Sequence, residues 1–595
     1  MKNIYHLIYA FFFPVFFCAT CLLAGPLHDK AMRFEEAIRN LHCPNGLVFD
    51  AVPGPDGGFL RPAGGGDSTI WTGAWIAAEV FRWRATKDPE ALTAIETSLE
   101  AFHKLHLLCG GNGFLGRFFG RRSWFSGRSN VATAAPPEQD VAWSTDTSRD
   151  QYTGIFLAWT LAWPVIHDAG LRERVASDVR EAGRNLMRND LALVATIDGA
   201  AKRMFNVSPD YCYQDRITPE EWARVDDFPV NAFCRAVPYN ATMAEVLASF
   251  QPPAIRGGEA LRALLMTGTA AHITKDPDLE TFFRDDVCGR RAYPRVASET
   301  SQLLSDLFLG INDDVAVRLV AQLHVSIVDM VLEAGRRFRP RYVNIINYIS
   351  PAVRTLAFLV GHLRGNLLLG VLDCLRGPHG FDWLGRLADN ADAWAAASRG
   401  LGFRKPADKL AARAAVWREM AASNLDELSD ALRSYVGTNI TQFALLGLME
   451  GVRENGIEPA ARDCIDRAFL PVADEANALY TYIRHVHGTA SLSADLLAAA
   501  KRTLELYPED QRQRRIDNSA EPGLRVLPWP DRFERYGNMA DRVFPIDRRA
   551  PHIFIWQESP RRIVSGSDGP GRIAPVGYLM AYWFARCYGI LTPED

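Results

Sequence analysis

Residues 143–163 read WSTDTSRDQYTGIFLAWTLAW, and the fold is decided by how this stretch is read. Its first part is polar and carries Asp146, Arg149, Asp150, Gln151 and Tyr152. From residue 153 to 163 it is almost wholly apolar, with three aromatics and one glycine. No polar stripe interrupts the second part, which predicts a helix buried on most sides. The polar part then stands at that helix's N-terminus, where free N–H groups and the positive dipole end favour acids and bound anions. An earlier stretch repeats the layout: Gly64-Gly65-Gly66-Asp67-Ser68-Thr69 leads into an aromatic, small-residue run through Ala78. Two acid-headed buried helices predict a shared cleft where their N-termini meet.

The totals set limits around that reading. A chain of 595 residues with 48% hydrophobic residues has the composition of a globular protein, as one large helical domain or several smaller ones. Acids outnumber bases by 70 to 66 for a net charge of −4, which gives no electrostatic footprint for nucleic acid. The 14 Trp, 17 Tyr and 32 Phe supply both core and ligand-stacking surface.

Residues 4–24, IYHLIYAFFFPVFFCATCLLA, form the most apolar run and follow a lone Lys2. They are expected to be a signal peptide or an uncleaved membrane anchor over 1–25, giving an exported (periplasmic or secreted) product. Eight cysteines lie beyond this leader, widely spaced and without a CxxC pair, so no thiolate zinc site is expected. No metal or cofactor is called for by any motif, and the glycines of 53–66 match no phosphate-binding pattern.

Along the chain, helices are expected at 28–41, 69–85, 89–108, 150–167 and 171–190. A long loop rich in Arg and aromatics spans 109–142 and is expected to border the cleft. After a less regular region at 191–240, further helices fall at 241–250, 258–268 and 276–286, then hairpins at 407–433, 438–455, 457–485 and 489–506, and a last buried helix at 576–586. The apolar region 290–400 reads as a helical insertion. Its piece Val353–Leu375 holds Arg354, His362 and Arg364, which argues against a lipid-facing span. Element order alternates an aromatic, small-residue helix with an amphipathic charged one. Hairpins of this kind bury their inner helices together.

On Asp67-Ser68-Thr69-Ile70-Trp71-Thr72-Gly73, Ser148-Arg149-Asp150-Gln151-Tyr152-Thr153-Gly154, Asn439 with its helix, Trp556-Gln557 and Tyr582-Trp583-Phe584-Ala585-Arg586, the chain resembles the six-hairpin glycosidase-like superfamily and its uncharacterised bacterial members. The resemblance implies an all-α fold, an (α/α) toroid of helical hairpins over residues 26–595, with the insertion at about 290–400. It implies a carbohydrate-active hydrolase in which acids at inner-helix ends act as acid and base on an oligosaccharide or polysaccharide.

Glycosidic cleavage generally needs two carboxyls. Asp67, Asp146 and Asp150 are the candidates, with Asp150 and Asp67 sharing the acid and base roles. Each has a structural alternative: Asp67 as a plain N-cap, and Ser148 with Gln151 as a capping box. Arg149 would orient substrate or pair with Asp146. Trp71, Tyr152 and Trp556 are candidate sugar-stacking surfaces, and Gln151 and His487 candidate binding groups. His485 and His487 also read as structural histidines. Tyr152 and Tyr482 read as lyase bases or as core. The acidic pairs Asp226-Asp227 and Asp313-Asp314 lack calcium-loop spacing. A polysaccharide lyase on the same scaffold and a non-catalytic, membrane-tethered glycan-binding protein are the competing readings.

Overall fold

The computed structural model describes residues 25–208 except 65 and 198, 257–298, parts of 388–422, 435–527 except 453–455 and 476, and 535–595 except 536. The leader at 4–24, Asp226-Asp227, Asp313-Asp314, the helix expected at 241–250, the piece Val353–Leu375 and nearly all of the insertion lie outside these residues.

The described chain is mostly helical. Its helices are α1 (Pro26–Ala37), α2 (Ser68–Thr86), α3 (Pro89–Leu108), α4 (Arg149–Ala162), α5 (Ala169–Arg188), α6 (Gly257–Thr274), α7 (Pro277–Thr281), α8 (Arg404–Ala422), α9 (Tyr435–Gly451), α10 (Ile457–Phe469), α11 (Ala478–His487), α12 (Ala494–Leu506) and α13 (Val576–Cys587). The segment 457–485, expected as a helical hairpin, consists of two helices joined through a 3₁₀ turn over Leu470–Glu475. Pro471 cannot continue an α-helix, and the break reverses the chain so that α10 and α11 pack on each other.

Two kinds of helix alternate. In α2, α4 and α13 nearly every residue is buried, because small and aromatic side chains cover all sides. The helices α3, α5, α10 and α12 bury one face and expose the other. Starts obey capping chemistry where the sequence supplies it. Asp88 accepts from Glu90 N–H at 3.0 Å, Asp168 from Leu171 N–H at 2.6 Å, and Asn477 from Tyr480 N–H at 3.2 Å.

The all-round buried helices pack on one another: α13 on α2, α2 on α4, α4 on α6 and α9, α6 on α9, α9 on α11, and α11 on α13. The crossing of α2 and α4 is made by two glycines. A Cβ on Gly73 would stand 2.2 Å from the Gly154 carbonyl oxygen, and one on Gly154 would stand 2.7 Å from Ile70 Cα. The glycine ending each "TG" pair is therefore what lets α2 and α4 cross backbone to backbone.

Among the described residues strands occur only in small pieces, the first of them the hairpin of β1 (Ala51–Pro53) with β2 (Phe59–Pro62). The segment 109–142 is not one irregular loop. It contributes β3 (Phe119–Arg121), β4 (Val131–Thr133) and the start of β5 (Val141–Ser144), an antiparallel sheet of order β3-β5-β4 in which Trp143 pairs with both Phe119 and Ala132. The alternating burial of Val141-Ala142-Trp143-Ser144 explains the strand. A second hairpin, Ala192–Ile197 with Ala200–Asn206, occupies part of the region expected to be irregular.

Five of the eight cysteines beyond the leader are described, and of these Cys43, Cys109 and Cys587 are free thiols. Among the described residues no helix is long and apolar enough to cross a membrane.

Candidate active site

The N-terminal ends of α2, α4 and α6 meet. Asp67, directly before α2, makes no cap hydrogen bond to its own helix. Its Oδ1 accepts instead from Arg117 Nη1 at 2.7 Å and from Gln151 Nε2 at 2.8 Å. Gln151, in the first turn of α4, does not close a capping box with Ser148, which makes no side-chain cap bond. Its buried Oε1 accepts from Thr69 Oγ1 at 2.6 Å and from the Ile70 N–H at 3.0 Å. The side chain of one helix thus caps the other, and both local capping readings give way to a tie between helices.

Arg117 joins a second carboxylate to the first. Its Nε lies 3.4 Å from Asp146 Oδ2, while Asp146 Oδ1 accepts from Ser144 Oγ at 2.6 Å and Asn130 Nδ2 at 2.8 Å. Arg117 is delivered by the segment leading into β3, whose backbone also holds α2: Arg117 O accepts from the Thr69 N–H at 3.1 Å. Asp146 and Asp150 keep more than a third of their side-chain surface exposed, and Asp67 just over half.

Arg149 does not pair with Asp146. It pairs with Glu259 in the first turn of α6, and Arg262 Nη1 shares the same oxygen, Glu259 Oε1, at 2.7 Å. Arg262 Nη2 then lies 3.7 Å from Asp150 Oδ1. Four acids and three arginines therefore interlock across three helix starts. Glu259, Arg262, Asn130 and the pairing role of Arg117 were not read from the sequence. A signal was present, since Gly257-Gly258-Glu259 repeats the glycine-then-acid opening of Gly66-Asp67.

The aromatic candidates fall inside the core. Tyr152 is wholly buried; its hydroxyl donates to Gly113 O at 2.6 Å and accepts from the Leu115 N–H at 2.8 Å. Burial raises that phenol well above its ordinary pKa. Trp556 is buried with Nε1 donating to Gly577 O at 2.7 Å, and Trp71 stacks on Phe554 with centroids 5.3 Å apart. All three rings belong to the buried core. Tyr482 is likewise buried.

His487 lies elsewhere. It closes α11, and its Nε2 is 2.9 Å from Glu450 Oε1, at the end of α9. Arg84 from the end of α2 and Tyr588 beyond α13 converge on the same carboxylate. This opposite, C-terminal end of the helices is tied by ion pairs of its own. Those contacts hold the Glu450 carboxyl at about 2, below the usual range despite burial. His485 is also placed structurally, with Nδ1 accepting from the Leu492 N–H at 3.1 Å.

One carboxyl near the site is shifted towards neutrality. Asp50 is raised to about 6 by burial, and its Oδ1 accepts from the Ala574 N–H at 2.9 Å, beside the start of α13. Two residues earlier, Val48 O accepts from Ser68 Oγ at 2.7 Å, next to Asp67.

Among the described residues one cluster has metal-ligand composition, His103, His106 and Asp178 between α3 and α5. Its bonding fits a crosslink better. His106 Nε2 accepts from the Gly113 N–H at 2.8 Å, so its Nδ1, 2.7 Å from Asp178 Oδ1, carries the proton. A metal at Nδ1 would force a proton onto Nε2, against the Gly113 N–H.

No known protein family, curated protein or solved structure matches this chain.

Proposed function

We propose that the chain is an exported carbohydrate-active hydrolase that cleaves a glycosidic bond with paired carboxylates, built as an (α/α) toroid of helical hairpins with a large helical insertion. The observation that supports it best is the meeting of Asp67, Asp146 and Asp150 at the N-termini of packed inner helices, with Arg117 bridging two of them. The order of inner-helix contacts, which runs from α13 through α2, α4, α6, α9 and α11 back to α13, supports the ring. In this reading the substrate is an oligosaccharide or polysaccharide. Asp150, the least engaged of the three acids, serves as base or nucleophile, and Asp67 stands across from it.

The groups that a lyase would need are committed elsewhere. Tyr152 is bonded on both sides within the core, and Arg149 is held by Glu259. A uronate carboxylate would have to displace an acid already in place. Incubation with an oligosaccharide panel distinguishes the two: a hydrolase releases reducing ends, whereas a lyase product carries a new ultraviolet-absorbing double bond. Folded protein that releases neither would overturn the enzymatic reading in favour of glycan binding alone.

A further inference from the structure

On the opposite side of α2 from α4 lies a charged cluster that the proposed chemistry does not use. Glu35 of α1 and Glu79 of α2 are both fully buried. Arg82 Nη1 lies 3.2 Å from an oxygen of each, and Arg82 itself is buried. Its Nη2 reaches Asp88, which caps α3, and lies 3.5 Å from Glu90. Trp583 of α13 donates from Nε1 to Glu35 Oε1 at 2.7 Å. A second arginine close by, Arg39, is a third exposed and stands 3.7 Å from Glu35 and 3.4 Å from Glu90.

Two buried carboxylates therefore share one terminal nitrogen of one buried guanidinium, whose other arm is occupied by Asp88. Two anions beside a single shared cation are costly in a low-dielectric interior, and a proton on one of them removes the excess charge. We propose that Glu35 and Glu79 hold one proton between them, and that its loss at alkaline pH loosens the packing of α1 and α13 on α2. This inference is independent of the hydrolase reading.

The charged and titratable groups facing the pair come from four helices. They are His28, Glu35 and Arg39 on α1, Glu79 and Arg82 on α2, Asp88 and Glu90 at the start of α3, and Tyr582 with Arg586 on α13. Burial pushes both carboxyls up, Glu79 well above the usual range because Glu35 is also beside it. Solvent has a route to the cluster. A groove of about 500 Å³ is lined by Trp75, Arg39 and Glu90, the last two of which contact Glu35 or Arg82, and also by Cys43, Thr97 and Ser98.

Between the ordinary glutamate pKa and the raised one, the folded state holds a proton that the unfolded state has released. Stability therefore falls as pH rises through that window, by up to about tenfold in the folding constant per pH unit for one proton. Urea denaturation of the full chain from about pH 7 to 10, where Asp50 is already ionised, reads this slope. Glu79→Gln is expected to flatten it, leaving the variant as stable as wild type or more so at the alkaline end. An unchanged slope in a folded Glu79→Gln protein would overturn the proposal. Should the variant fail to fold, infrared titration of the wild type decides. A buried protonated-carboxyl stretch is expected near pH 7 that disappears as stability is lost, and a spectrum without that band refutes the shared proton.

Discussion

At the scale of single residues, the site rests on side chains that serve a neighbouring helix. Gln151 is the clearest case, since its Oε1 satisfies Thr69 and Ile70 while its Nε2 holds Asp67. Gln151→Ala would leave buried donors of α2 without an acceptor, at a cost of about 1–3 kcal/mol, and would free Asp67. A lowered urea midpoint with unchanged slope is the expected result. Asp150 should behave in the opposite way. It is about 40% exposed, and its charged partner is 3.7 Å away, so Asp150→Asn is expected to leave the melting temperature nearly unchanged. Turnover, assayed as reducing-end release, should fall on the order of a hundredfold or more, as for other general acid–base groups. A variant that unfolds while its surviving molecules turn over normally would make Asp150 a structural ion-pair partner.

At the scale of elements, the close crossing of α2 and α4 fixes the distance between their acid-bearing ends. Gly73→Ala must displace the backbone of α4, since its new methyl would overlap the Gly154 carbonyl. A loss of about 1–3 kcal/mol or more is expected, measured by thermal or urea unfolding, and activity should fall with it because Gln151 is carried away from Asp67. The far ends of the helices respond to acid. The Glu450 carboxyl sits at about 2 in the fold against an ordinary 4.5. Its contribution is thus complete above pH 4.5 and lost as pH falls towards 2, on the order of 3 kcal/mol. Glu450→Gln should show a shallower acid limb, and an unchanged limb would mean that the contacts from Arg84, His487 and Tyr588 add nothing. Much at this scale was legible in the sequence. Apolar patterning located the starts of α2, α3, α4, α5 and α6 to within two residues, because their burial is decided by their own side chains, while α4 ends five residues earlier and α6 six residues later than read. The sheet at 119–144 was not legible, since its strands are three or four residues long and are fixed by pairing across the turn.

At the largest scale, the buried helices among the described residues present two unlike sets of ends. One collects Asp67, Asp146, Asp150, Glu259, Arg117, Arg149 and Arg262; the other collects Glu450, Arg84, His487 and Tyr588. The sequence pointed to the first end through acids that precede buried helices. It could not show that Glu259 joins them or that His487 does not, because neither fact is local: each depends on which helix ends lie side by side. It also could not separate aromatic rings that line a cleft from rings that fill the core, since Trp71, Tyr152 and Trp556 have the same composition signal in both places. The central claim is that the first end binds and cleaves a glycan. A crystal structure of Asp150→Asn with an uncleaved oligosaccharide taken from the activity panel tests this most directly. The account predicts a scissile bond lying between Asp150 and the Asp67–Arg117–Asp146 bridge. Sugar bound at the Glu450 end, or on a surface that touches none of these acids, would contradict it.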